Sequence, residues 1–276
     1  QAFPAWKGSR KTMGVVRDKL SNMFIKIMAG TVTREEGTML INSLAKESYE
    51  ETMKELCFLI DTPPPGVFSK TILHTIALTR NKAFQNIMIS SLEHKNAGVS
   101  ILAAEELGKL KTVDAKEVLV AHLNNEVYHV RQASAAALAA GFPDGMEILK
   151  KHVLMHSEPY YRATSAHALL KAGRQGVEIL VGILNSGGQG AVSTVAGALA
   201  SAVPSLEDKD IPKIFEALMS AGDNKQTPTI VDILKLVAAL HGRVKGYERY
   251  VQAFVDSPYE LVRKEATHTL NRLSVS

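Results

Sequence analysis

Residues 127–141 read VYHVRQASAAALAAG. The spacing predicts a helix in which Ser134, Ala135, Ala137, Leu138 and Ala140 form a small-residue face behind the pair Val130 and Arg131. The pattern recurs. Thirty-one residues on, YYRATSAHALLKAG puts Arg162 and Leu169 in the places of Arg131 and Leu138. Near the C-terminus, LVRKEATHTLNRL puts Arg263 and Leu270 there. A helix of this kind cannot bury its apolar face alone, so its recurrence implies stacked copies.

Working outward, one leucine near the end of each recurring helix can be followed along the chain. Leu78, Leu107, Leu138, Leu169, Leu199, Leu240 and Leu270 are separated by 29, 31, 31, 30, 41 and 30 residues. A period near thirty with room for two helices per unit indicates an all-α solenoid. The long interval places an insertion of about ten residues near 203–228. Between these helices lie turn signals: Asn124-Asn125, Ser157-Glu158-Pro159, Ser186-Gly187-Gly188 and Asp256-Ser257-Pro258. No stretch alternates apolar and polar residues as a strand would.

The chain has 276 residues, 46% of them hydrophobic but only 6% aromatic, so small and aliphatic side chains carry the packing. One cysteine, Cys57, excludes a disulfide framework and fits a reducing compartment, which makes a cytoplasmic location the expectation. No apolar run approaches the roughly 18 residues of a membrane span. The net charge of +4 is unevenly placed. Residues 1–30 carry six basic residues (Lys7, Arg10, Lys11, Arg17, Lys19, Lys26) against Asp18, a net +5, and the remaining 26 basic and 27 acidic residues give −1.

Residues 1–8 read as an irregular lead-in and 9–30 as one basic helix. Its apolar residues Met13, Val16, Leu20, Met23 and Ile27 step by three and four, an a/d seam. Such a seam serves a helix packed on the first repeat, or a coiled coil giving self-association through residues 9–30. Gly30 is a helix stop, and Thr33 with Glu36 forms a capping box for the next helix. Pro63-Pro64-Pro65 breaks the chain again. Residues 1–30 are thus expected to be a connector and 31–276 a solenoid, less regular over 31–65.

The stretch 97–172 resembles the HEAT-like repeats of the phycocyanobilin-lyase and NblB-type class. The resemblance rests on Ala103-Ala104-Glu105-Glu106-Leu107-Gly108, on residues 115–123, on Val130-Arg131, and on residues 135–138. Arg162 with Ala166, Ala168 and Leu169 repeats its second half, as do Val262-Arg263 with Ala266 and Leu270. It implies an α-solenoid of about six to seven two-helix repeats, with extra N-terminal helices. It also implies that Arg131, Arg162 and Arg263 form a structural ladder along the turns. Thr71, Ser100, Val192 and Ile233 stand at the arginine position in other units, where the ladder is expected to lapse. The fold hosts scaffolds, enzymes and nucleic-acid readers alike, so it does not choose among them.

Chemistry is hard to find. His152 and His156 share a helix face, but no HExxH glutamate accompanies them, so no metal is expected. HEAT-repeat di-iron hydroxylases such as deoxyhypusine hydroxylase use His-Glu dipeptides, and this sequence has none. No cofactor is expected. A non-catalytic interaction scaffold is the leading reading, with a protein partner bound through Tyr128, Gln132, Tyr160, Tyr161, His167 and Lys264. A bilin-handling protein is the alternative that follows the family resemblance. Nucleic-acid binding through the basic N-terminal helix is a second and disfavoured alternative, because the helix over 188–203 has no Lys or Arg to continue a phosphate track. The small-residue face carries its own test. Ala135→Leu should force neighbouring helices apart and cost roughly 1–3 kcal/mol in a thermal melt, and an unchanged melt would place Ala135 outside the core.

Overall fold

The computed structural model describes residues 10–274, with side chains from Gly14 onward. The lead-in with Lys7 lies outside the described residues, as do the side chains of Arg10, Lys11 and Met13 from the basic helix and its seam. The described elements are α-helices and short 3₁₀ turns. The chain divides into two compact units. Among the described residues one comprises 10–119 with Val127–Ser134, the other Val120–Glu126 with 135–274.

The first unit contains α1 (Arg10–Met28), α2 (Arg34–Glu47), α3 (Tyr49–Asp61), α4 (Ser69–Leu78), α5 (Gln85–Ser91) and α6 (Ala97–Leu110). Consecutive helices pair, α1 with α2, α3 with α4 and α5 with α6. Alternate helices stack, α1 on α3 on α5 and α2 on α4 on α6. In each pair the first helix is here termed A and the second B. The basic N-terminal helix is thus the A helix of a first, divergent pair. Its seam residues Val16, Leu20 and Met23 are buried against α2 and α3, with Phe24 fully enclosed beside them. Of the two readings of the seam, this is the helix packed on the first repeat. An a/d pattern states that one helix face is buried, and not by what. Arg17 fixes the contact: its Nε donates to the buried Glu55 carboxylate at 2.6 Å while its guanidinium lies 4.1 Å from the Phe58 ring centre.

Local signals hold where the backbone alone decides. Gly30 takes φ +72 just past α1, and its following N–H closes onto Lys26. The Thr33–Glu36 capping box starts α2, with Glu36 held below the usual carboxylate range by the Thr33 N–H and hydroxyl. The three prolines separate α3 from α4.

The division between the units runs through α7 (Val113–Ala121) and α8 (Tyr128–Gly141). The second unit continues with α9 (Gly145–Met155), α10 (Pro159–Lys171), α11 (Arg174–Ser186), α12 (Gln189–Ala200), α13 (Ile211–Asp223), α14 (Thr227–Leu240), the short α15 (Glu248–Gln252) and α16 (Glu260–Ser274). A helices α9, α11 and α13 stack in one row, and B helices α10, α12, α14 and α16 in another. This two-row stacking makes the fold an all-α solenoid.

The register is corrected in two units, by burial in α4 and by the helix start in α14. Leu78 is 39% exposed, whereas Ile76 is fully buried and takes the column position. In α14 Leu240 and Ile233 are as buried as Val237 and Ile230, and it is the start of the helix at Thr227 that puts Ile230 at its fourth position and the column at Val237. The column then reads Ile76, Leu107, Leu138, Leu169, Leu199, Val237 and Leu270, at intervals of 31, 31, 31, 30, 38 and 33. The arginine positions in those units become Ser69 and Ile230 in place of Thr71 and Ile233. Along residues 127–141, Ala135, Ala137 and Leu138 are buried as expected, but Ala140 faces out.

In the inserted stretch, ion pairs around 203–210 supplement the buried Leu206 and the buried face of α13. Arg174 makes two 2.6 Å bonds to Asp210, whose side chain also caps the Glu207 N–H at 2.9 Å. Burial opposes ionisation of Asp210, but Arg174 and that N–H more than offset it and hold the carboxyl below its usual range. Arg243 donates to the carbonyls of Val203 and Leu206 at 3.0 Å and to Asp208 at 3.1 Å.

Two glycines set how closely A and B helices approach. A Cβ on Gly145 would lie 1.8 Å from the carbonyl oxygen of column residue Leu138, and one on Gly176 equally close to that of Leu169. Backbone cannot yield as a side-chain tip can. Gly145→Ala should therefore cost roughly 3 kcal/mol or more in a denaturant melt, at or beyond the upper end of overpacking. Gly182→Ala, in α11 with nothing within 4 Å, should instead stabilise by about 0.5–1 kcal/mol through helix propensity.

Candidate functional site

Each B helix is entered through a turn that must place carbonyls without helix partners. In α6, α10 and α16 the fourth residue of the helix reaches back to them. Arg162 Nη1 donates to His156 O at 2.7 Å and Ser157 O at 2.8 Å. Arg263 Nη1 does the same to Ser257 O at 2.8 Å and Pro258 O at 3.0 Å. Ser100, where the ladder was expected to lapse, donates its hydroxyl to His94 O at 2.9 Å. The interaction therefore survives without an arginine. At Val192 and Ile230 it is replaced by burial of an aliphatic side chain. Arg162 also reaches forward, with Nε 3.2 Å from Thr194 Oγ1 in α12. A Cβ on Gly190 would lie 2.8 Å from the same guanidinium, so the glycine leaves it room.

The first turn residue has its own task. His94 Nδ1 accepts from Asn96 N at 3.0 Å, and His156 Nδ1 accepts from Glu158 N at 3.0 Å. These histidines cap turns. His152 is also spoken for. Its Nε2 is 3.0 Å from Asn124 Oδ1 and its Nδ1 2.9 Å from Ser165 Oγ. An amide oxygen only accepts, so Nε2 carries the hydrogen and Nδ1 accepts from the serine hydroxyl. The i,i+4 histidine pair is thereby engaged in hydrogen bonds at three nitrogens. Among the described residues no group of three His, Cys, Asp or Glu side chains is gathered that could hold a metal ion.

What the stacking leaves uncovered is one side of each B helix. Two positions four residues apart point away from the core: Ala163 and His167 on α10, Ser193 and Gly197 on α12, Val231 and Lys235 on α14, Lys264 and His268 on α16. These form two columns across the second unit. Ile101 and Glu105 on α6 occupy the same positions in the first unit. The sequence-nominated residues fall in two places. His167 and Lys264 belong to the open columns of the second unit, and the half-buried Gln132 has the equivalent helix position in the first. Tyr128, Tyr160 and Tyr161 sit at the first three positions of their helices, on the turn edge. Tyr128 and Tyr160 are 59% and 53% exposed, while Tyr161 is half-buried and makes tilted ring contacts with Tyr160 at 4.3 Å and His156 at 4.8 Å. The nominated set is thus a face and a rim.

Two open hollows lie elsewhere, in the first unit. One of about 620 Å³ is lined by Ile27, Met28, Arg34, His74 and Leu78, the other of about 400 Å³ by Asn42, Lys46, Tyr49 and Asn81. None of the nominated residues lines either. Burial raises the Cys57 thiol above its ordinary value, which suits a packing residue. No described helix is long and apolar enough to cross a membrane.

Residues 41–139 match the family model for HEAT repeats. The match starts at Ile41, inside the stretch read from sequence as less regular. No curated protein matches the chain in sequence. Among solved structures, human deoxyhypusine hydroxylase in complex with glycerol is similar at 15% identity and TM-score 0.38, covering 97% of this chain and 100% of that one. An engineered protein is similar at 23% identity and TM-score 0.36, covering 69% and 96%. A karyopherin bound to a SUMO protease is similar at 11% identity and TM-score 0.42, covering 94% and 33%.

The Asn124–His152–Ser165 network makes a pH-dependent stability. Burial, aided by His156, pushes His152 down from about 6.5 to about 4. The folded chain thus prefers the neutral ring, and its contribution is complete above pH 6.5 and lost as pH falls towards 4. The loss should be about 1–2 kcal/mol, reduced from the full shift because the ring is partly solvated. Denaturant midpoints compared between wild type and His152→Gln across that window should converge on acidification. Parallel pH curves would show that His152 titrates alike folded and unfolded.

Proposed function

Starting from a HEAT-like repeat stack with an uncovered helix B side, we propose that the chain is a non-catalytic scaffold that binds a protein partner on that side. The supporting observation is the pair of open columns. Stacking buries the rest of each B helix, whereas these positions are exposed or half-exposed. Over α10 and α12 they hold Ala163, His167, Ser193 and Gly197, mostly small residues that let a partner's backbone come near. The exposed Tyr160, with Tyr161 behind it, borders the face and supplies aromatic anchors of the kind enriched at interfaces. Many modest contacts spread over several repeats are how such stacks recognise partners.

The test is to fill the shallow part of the face. Ala163→Arg combined with Ser193→Arg should leave the thermal melt near wild type, because both sites point outward. The same double variant should weaken the native partner's affinity by about tenfold or more, as measured by calorimetry. Unchanged affinity would remove the open face from recognition.

A further inference from the structure

The open face of the second unit changes character along its length. Over α10 and α12 its columns carry no Lys, Arg, Asp or Glu. Over α14 and α16 they turn basic. Lys264, His268 and Arg272 lie four residues apart on α16 and form one stripe. Lys235 stands on the neighbouring α14 in the second open column. The side chains of Lys264 and Lys235 are 72% and 59% exposed. Arg272 Nη2 lies 3.3 Å from His241 Nε2 at the end of α14, and Arg243 and Lys245 follow in the next turn. His241 itself is held at φ 47 and ψ −135, a backbone conformation costly for a side chain that bears a Cβ.

The carboxylates nearby do not balance this group. Glu260 is 2.6 Å from Lys264, Asp232 is 3.9 Å from Lys235, and Asp208 pairs with Arg243. Among the described residues no carboxylate pairs with Arg272 or Lys245. We infer that this end of the face takes an acidic polypeptide segment, whose carboxylates meet Lys235, Lys264 and Arg272 while its uncharged remainder lies on the small residues of α10 and α12. The inference rests on the scaffold reading and adds the chemistry of the partner. A nucleic acid fits the same face less well. Its phosphates recur at every nucleotide and would find no cation over α10 and α12. An acidic polypeptide places its charge at one end only.

The experiment uses the whole chain and three fluorescent probes. These are a 20-residue Glu/Asp-rich peptide, its Gln/Asn counterpart and a single-stranded thymidine oligonucleotide. Anisotropy at low salt should show saturable binding of the acidic peptide, weakening as salt is raised, and none of the neutral one. Lys264→Glu with Arg272→Glu should reduce that affinity by about tenfold or more. Lys264→Gln with Arg272→Gln should give a smaller loss, and keeps the result readable should charge reversal perturb folding. Lys19→Glu with Lys26→Glu, on exposed positions of α1, should change it by less than about twofold. Equal binding of both peptides, tighter binding of the oligonucleotide, or indifference to the α16 reversals would overturn the inference. If the acidic peptide fails while Ala163→Arg with Ser193→Arg still abolishes partner binding, only the acidic class falls and the scaffold reading stands.

Discussion

The bond from the fourth residue of helix B to the carbonyls of its own entering turn is the constraint on which the rest depends. Arg162, Arg263 and Ser100 make it with different side chains and the same geometry. It settles two problems at once. It satisfies turn carbonyls that helix formation leaves without partners, each costing about 1–3 kcal/mol if buried and unmet. It also fixes the rotation of helix B about its axis, because residue four must point at the turn. Once that rotation is fixed, residue eleven points into the core and residues five and nine point out. In α6, α10 and α16 the column and the open face therefore follow from that hydrogen bond, and in α12 and α14 the buried Val192 and Ile230 set the same rotation. Through Thr194 and Gly190 the Arg162 guanidinium also ties one repeat to the next.

Close approach follows from the same registration. Gly145 and Gly176 each stand seven residues beyond a column leucine, where the next A helix crosses the carbonyl of that leucine. The small residues of residues 127–141 serve this purpose, and bulkier ones would raise the helix spacing. The first pair is built differently. There α1 is held by a buried carboxylate, Glu55, gripped by Arg17. The inserted segment is likewise held by Arg174 and Arg243. Departures from the repeat are thus secured by arginine to carboxylate or carbonyl, where geometry can be specified without a repeated core.

Much of this was legible in the chain itself, where a local rule acts alone. The thirty-one-residue interval from Leu107 to Leu138 to Leu169 and the capping box at Thr33 needed nothing beyond periodicity and backbone chemistry. The failures have physical reasons too. Leu78 has the right residue type at nearly the right spacing, but only burial shows that Ile76 faces the core. Ser100 looks like a gap in an arginine ladder, because spacing cannot show that a shorter side chain reaches the same carbonyl. The helix 10–28 advertises a buried seam, and its partner helices are a matter of tertiary packing. Lys235 and Arg272 escaped notice because their significance lies in adjacency between α14 and α16. The rim tyrosines and the columns were nominated together, and they occupy different positions on the helix.

The central claim is that recognition occurs on the open columns of the B helices rather than on the A side. A photoreactive amino acid placed at Ser193 on α12, and separately at Glu178 on α11, tests it most directly. Both positions are exposed, but they belong to B and A helices respectively. Irradiation with the native partner should give a covalent adduct from position 193 and none from position 178. An adduct from 178 alone would contradict the account.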